Sequence, residues 1–226
     1  MPDVRDDDYD PIAVRRVYDD MAADYVVRFG SDLAGQNPDT EFLDTAADGF
    51  PDGPVIDLGC GPAQVSQYLI GRGRHVIGID FSPAMLATAA KLVPQAGLVA
   101  ADLLALPLRD ASCAAVVASY SLHHLPKAWL PGALAGIRRV LRPGAVLVIV
   151  THGGSSQELL DRPGGQIVLS RYSSEELAGV LNSAGFIPEL VRTRPPRPEE
   201  FPAEKIRISA RLSPGTHPDT PGGVLR

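Results

Sequence analysis

Cysteine is nearly absent: the 226 residues contain two, Cys60 and Cys113, each inside an apolar run that reads as buried. Two buried thiols make no disulfide framework, which excludes a stapled secreted scaffold and fits a reducing, cytoplasmic setting. Lysine is scarce as well, three against eighteen arginines, and asparagine occurs twice. That bias fits GC-rich bacterial coding and carries no chemistry. No apolar run approaches the roughly 18 residues of a membrane span, and the stretch from Met1 to Asp8 is acidic where a secretory leader would be basic and then apolar. The formal net charge of −6 leaves no basic face to neutralise phosphates, so neither nucleic acid nor membrane is an expected partner. A G-x-S-x-G elbow and a Walker loop are also missing, which excludes the common hydrolase and nucleotide-phosphatase designs.

What is present reads as one α/β domain. Residues 1–10 resemble a solvated acidic leader and residues 11–48 two cap helices, the first with Val14, Val17, Met21 and Tyr25 on one face. A core over residues 49–212 follows, in which apolar strands near 54–58, 75–80, 97–102, 114–119 and 145–150 alternate with helices over 64–72, 83–92 and 131–141. Continuous apolar strands separated by helices predict a Rossmann-like doubly wound sheet, mostly parallel and covered on both faces. Residues 186–192 and 205–212 alternate like strands and are expected to form an antiparallel hairpin at the C-terminal edge. Residues 213–226, rich in proline and glycine, read as a disordered tail.

The sharpest signal is the turn after the first strand, where Asp57, Gly59, Gly61 and Ala63 alternate as D-x-G-x-G-x-A. Glycine lets the backbone approach a ligand closely. Amides at the start of the next helix suit a carboxylate, and Asp57 suits an ammonium, directly or through water, so the turn fits an amino-acid zwitterion. Asp80 ends the second strand, where an open α/β sheet presents an acidic residue to ribose hydroxyls; the alternative, a mere cap on the helix that begins near Ser82, is the weaker reading beside the glycine turn. Asp102, just past a short strand, suits an adenine amino group. The dinucleotide fingerprint G-x-G-x-x-G would need a small residue at position 64, and Gln64 rejects it.

The segments Val55-Ile56-Asp57-Leu58-Gly59-Cys60-Gly61-Pro62, Val76 to Leu86, Ala101 to Leu108 and Arg138 to Gly144 resemble, in order and spacing, the motifs of class I S-adenosylmethionine-dependent methyltransferases, in particular the small-molecule group that includes quinone-biosynthesis enzymes. The resemblance covers about residues 50–190. It implies that S-adenosylmethionine is bound and S-adenosylhomocysteine released. It places Asp57, Gly59, Cys60 and Gly61 at the methionine part, Asp80 on the ribose, Phe81 and Met85 near ribose and adenine, Asp102 and Leu103 around adenine, Ser119 close to the sulfonium, and His124 in the fold and donor pocket as a structural residue. It also sets Tyr18 and Tyr25 on a helix that closes over the donor. Ala63 departs from the family's usual third glycine, and its methyl is expected to bear on the methionine pocket.

For the acceptor the residues speak more generally. His123 and His152, each following a strand, are the candidate general bases because imidazole titrates near neutrality, and Tyr120, Arg171 and Tyr172 are candidate acceptor contacts. His123 and His124 are adjacent and lack a third spaced ligand, so no metal is expected. The reading is methyl transfer to an oxygen, nitrogen or carbon atom of a small metabolite, as in bacterial secondary metabolism, by a monomer or homodimer. The alternatives are a tRNA or protein acceptor, or a cofactor-binding accessory protein that transfers nothing.

Overall fold

The computed structural model describes residues 9–29, 33, 38–198 and 200–214. The expected leader up to Asp8 and the tail beyond Pro214 lie outside these residues. Helix α1 (Pro11–Phe29) starts where Asp10 accepts the Ile12 amide at 2.8 Å and Pro11 takes the first helical position. It buries Val14 and Val17, as the spacing predicts. Helix α2 (Pro38–Asp48) buries Phe42, Leu43, Ala46 and Ala47.

Strands β1 (Val55–Leu58), β2 (Val76–Asp80), β3 (Gly97–Ala100), β4 (Cys113–Ser119) and β5 (Leu141–His152) pair in parallel and alternate with helices α3 (Gln64–Ile70), α4 (Pro83–Leu92) and α5 (Leu130–Val140). Ser82 caps α4 by accepting the Met85 amide at 3.1 Å, with Pro83 at the first helical position. The expected stop after α5 is real, but Arg142-Pro143-Gly144 belongs to the start of β5 rather than to a loop.

Helix α6 (Ser174–Ser183) leads into β8 (Phe186–Arg194) and β9 (Lys205–Leu212). The expected edge hairpin forms, with β9 pairing antiparallel to β5 and β8 outermost, so the seven strands run β3-β2-β1-β4-β5-β9-β8. Both faces of this sheet are covered. Ala115, Val117, Val146 and Val148 face α2 and α3, whereas Val116, Ala118, Leu147 and Ile149 face α5 and α6. Side chains that alternate between two buried faces explain why these strands read as unbroken apolar runs.

One element escapes the sequence reading. Residues 153–156 and 162–165 bracket what reads as a short polar segment, yet residues 157–170 form a second, two-stranded sheet, β6 (Gln157–Arg162) against β7 (Gly165–Ser170). Its inward residue Ile167 joins Val14 and Val17 of α1 in a small separate core. The turn sits so close to α1 that a Cβ on Gly165 would lie 3.1 Å from Ala13 Cβ. Helix α1 and this hairpin thus form a cover over the sheet's carboxyl edge.

Candidate active site

Strand order reverses at β1, between β2 and β4, and a doubly wound sheet opens its crevice at that point. A cavity of about 720 Å³ lies there. Its floor is made by the carboxyl ends of four strands: Leu58, Gly59 and Gly61 after β1, Asp80 and Phe81 after β2, Asp102 and Leu103 after β3, and Ser119, Tyr120 and Ser121 after β4. Its cover is Tyr9, Val14, Tyr18 and Tyr25, with His124 and Leu125 at the side and Met85 from α4. Four of the chain's six tyrosines therefore meet in one cavity, and among the described residues no lysine or arginine lines it.

The glycine turn is held by backbone geometry. Gly59 (φ 70°) and Gly61 (φ 52°) occupy the left-handed region, and a Cβ on Gly59 would fall 2.3 Å from Ser121 Cβ. Asp80 braces the turn: one carboxylate oxygen accepts the Gly61 amide at 2.8 Å and the other the Ser82 amide at 2.9 Å. The capping role and the cavity-facing role are thus compatible. Each oxygen keeps acceptor capacity for a hydroxyl, and burial raises the carboxyl's pKa against the bracing amides.

Asp57 is placed differently from expectation. It is 1% exposed and does not line the cavity. Its Oδ2 accepts the Ser66 amide at 2.9 Å and the Ser66 hydroxyl at 2.7 Å. Ala63, the residue before α3, has no side-chain oxygen to cap the helix, and Asp57 supplies that cap from the strand behind. The Ser66 amide is therefore committed to Asp57 rather than offered to a ligand. Burial pushes the Asp57 carboxyl up to about 6, opposed by the two Ser66 bonds.

Cys60 is likewise buried beneath the turn, off the cavity wall, with its Sγ against Gly78, where a Cβ would come within 2.9 Å. Ala63 adopts φ 69°, the left-handed conformation that explains the glycine usual at this position. Its methyl packs with Ala89 of α4 and with Val93 just past that helix, away from the cavity, so it does not narrow the methionine pocket.

The remaining residues expected around the donor, Tyr18, Tyr25, Phe81, Met85, Asp102, Leu103, Ser119 and His124, all line the cavity. Asp102 also closes its own turn by accepting the Leu104 amide at 2.8 Å. His124 is oriented from both sides. Its Nδ1 donates to the Val168 carbonyl at 2.8 Å, which leaves Nε2 to accept from the Tyr18 hydroxyl at 2.5 Å. Burial lowers the imidazole to about 4 and pushes the Tyr18 phenol far up, so both groups are neutral at neutral pH.

Neither expected base reaches the cavity wall. His123 is 5% exposed, with Nε2 3.0 Å from His124 Nε2, and burial holds its pKa well below the usual imidazole value. His152 stacks on His123 at 5.2 Å and against Tyr120 at 4.9 Å. Burial and the Lys205 ammonium, 3.2 Å from Nδ1, depress it to about 3. An imidazolium at either position is too costly for a base working at neutral pH.

Of the expected acceptor contacts, Tyr120 lines the cavity and holds a left-handed backbone (φ 51°). Arg171 is instead paired with Glu158 at 2.9 Å, and Tyr172 is 3% exposed beneath Lys127. Both serve the hairpin and its packing because residues 157–170 are an ordered element rather than a loop.

Two cover features were not anticipated. Tyr9 falls within the expected leader, yet it lines the cavity and meets Trp129 edge-on at 4.9 Å. Asp19 of α1 accepts the Ser82 hydroxyl at 2.6 Å and the Ala84 amide at 3.2 Å, tying the cover to the start of α4. Capping across 63 positions leaves no local signature.

Residues 55–144 match the family model described as a methyltransferase domain. The chain is 33% identical over 144 residues to an uncharacterized methyltransferase of Synechocystis, covering 60% of this chain and 68% of that protein. It is 32% identical over 147 residues to a demethylmenaquinone methyltransferase of Beutenbergia cavernae, covering 63% and 59%. The fold is shared with the 1,6-didemethyltoxoflavin-N1-methyltransferase of Burkholderia thailandensis, solved with 1,6-didemethyltoxoflavin and S-adenosylhomocysteine bound: TM-score 0.74 at 21% identity, over 94% of this chain and 92% of that one. The cavity suits S-adenosylmethionine, since it joins two carboxylates and several aromatic faces with no opposing cation. The chain belongs to the class I S-adenosylmethionine-dependent methyltransferases.

Proposed function

We propose that the protein methylates an oxygen, nitrogen or carbon atom of a small, uncharged, planar metabolite, with donor and acceptor side by side in the cleft over the strand ends. The observation that carries this reading is the lining: Tyr9, Tyr18, Tyr25, Phe81 and Tyr120 supply aromatic faces, and among the described residues no lysine or arginine is there to hold a carboxylate or phosphate. The demethylmenaquinone in the name of the Beutenbergia relative has a planar, uncharged ring system that fits that lining. The net charge of −6 opposes a tRNA acceptor.

S-adenosylmethionine supplies an electrophilic methyl group, so the chain's own residues have mainly to bind, align and exclude water, which is worth roughly 7–11 kcal/mol of a barrier. Asp80 holds the ribose hydroxyls, Asp102 and Leu103 the adenine, and the backbone at Gly59 and Gly61 the methionine part. Tyr18 and Tyr25 close over the donor from α1. The Tyr18 hydroxyl donates to His124, so its oxygen presents lone pairs to an acceptor O–H or N–H. With His124 at about 4, this pair orients the acceptor rather than storing its proton.

The test is product mass spectrometry with isotopically labelled donor. Neutral hydroxyarenes, quinols and N-heterocycles are expected to gain a methyl mass. Gain confined to free carboxylic acids or carrier-protein-bound acids would refute the uncharged-acceptor reading.

A further inference from the structure

Behind the main cavity, between residues 122–130 and the ends of β5 and α6, lies a second cavity with room for about one water molecule and walls otherwise of leucine and isoleucine. Three polar side chains face it: His123, Thr151 and Tyr172. In each the atom concerned is buried and lacks a hydrogen bond of normal geometry: His123 Nδ1, Thr151 Oγ1 and the Tyr172 hydroxyl. Ser170 neighbours Tyr172, but its own proton is committed to the Leu125 carbonyl at 2.6 Å. One orphaned polar atom is an oddity; three facing one small cavity need a common partner.

The protonation pattern says what that partner must offer. His124 Nδ1 faces the Val168 carbonyl at 2.8 Å and carries the hydrogen, so His124 Nε2 is an acceptor. That nitrogen's one lone pair is held chiefly by the Tyr18 hydroxyl at 2.5 Å; a bare His123 Nε2 only 3.0 Å away would repel it, so His123 Nε2 carries a hydrogen and shares the lone pair as the longer, weaker donor, which leaves His123 Nδ1 as a bare acceptor facing the small cavity. We propose that an ordered water occupies this cavity, donating to His123 Nδ1 and the Tyr172 oxygen and accepting from the Thr151 hydroxyl. Three partners are what a buried water requires. The water fixes His123 in the tautomer that donates to His124, and so makes His123, Thr151 and Tyr172 positioning residues for the Tyr18–His124 pair on the cavity wall.

The test combines water–protein nuclear Overhauser spectroscopy and imidazole ¹⁵N shifts of the full chain with the melting temperatures of Thr151→Val, Tyr172→Phe and the double variant. Thr151→Val keeps the side-chain shape and exchanges the hydroxyl for a methyl group, and Tyr172→Phe removes only the hydroxyl. Expected are a long-lived water beside His123 and Thr151, and ¹⁵N shifts showing His123 protonated at Nε2. Each single variant is expected to melt lower and to shift the His123 signals toward a mixture of tautomers, and the double variant to lose less than the sum because one water serves both groups. Absence of a long-lived water in the unsubstituted protein would overturn the proposal. So would single variants that melt at the same or a higher temperature with additive effects, the behaviour of a dry cavity relieved of orphaned hydroxyls.

Discussion

The floor of the main cavity and its cover are built by different means. The floor is local: Gly59, Gly61, Asp80, Asp102 and Ser119 each stand within three residues of a strand's carboxyl end, and backbone conformation does most of the positioning. The cover is assembled from distant segments. Tyr18 reaches His124 across 106 positions, His124 reaches Val168 across 44, and Asp19 reaches Ser82 across 63. Floor residues should therefore tolerate substitution poorly and act on donor binding, whereas cover residues should act on closure and on the acceptor.

The largest expected effect is on the floor. Gly59→Ala places a Cβ 2.3 Å from Ser121 Cβ at φ 70°, so strain and overpacking together should cost roughly 2–5 kcal/mol of stability, read by chemical denaturation. Gly61→Ala sharpens the contrast. Its Cβ meets nothing nearer than Met85 Sδ at 4.0 Å, so the fold should lose only about 1–2 kcal/mol to the left-handed backbone. S-adenosylhomocysteine binding should fall by more than that strain explains. Equal stability losses in the two variants would break the distinction between support and contact.

Acid probes the cover. The unfolded chain takes up protons at its histidines near pH 6.5, whereas His124 and His152 resist protonation until about 4 and about 3. The unfolded state therefore binds more protons across that window, and stability falls as pH drops through it, by roughly 1.4 kcal/mol per pH unit for each group. Denaturation at pH 7 and pH 5 measures this; stability unchanged between them would contradict the neutral, buried imidazoles. The smallest effect belongs to Ala63→Gly. Relief of about 1–2 kcal/mol of left-handed strain is offset by loss of a buried methyl worth about 0.8 kcal/mol and by a more flexible unfolded chain, so the melting temperature should move little. A large stabilisation would mean that packing against Ala89 and Val93 contributes nothing.

The same division explains what could be read from the sequence. The strand segments, the doubly wound class and the cavity floor follow from apolar runs and from motifs a few residues long. Asp57 misled because an acidic residue in a glycine turn has the same signature whether it meets a ligand or caps a helix; only the burial of Asp57 and its Ser66 bonds separate the two. His123 and His152 misled because imidazole's ordinary pKa invites a base, whereas burial and Lys205 remove that capacity. The β6–β7 hairpin went unseen because its outer residues are polar and its inner ones meet α1, about 150 positions earlier.

The most direct test is calorimetric titration with S-adenosylhomocysteine of the protein and of Asp80→Ala, with circular dichroism to show that the fold persists. Saturable binding is expected, weakened about 10- to 150-fold in the variant, the equivalent of the roughly 1.5–3 kcal/mol carried by hydrogen bonds to a charged group. A folded Asp80→Ala variant with an unchanged Kd would contradict the assignment of this cavity to the donor.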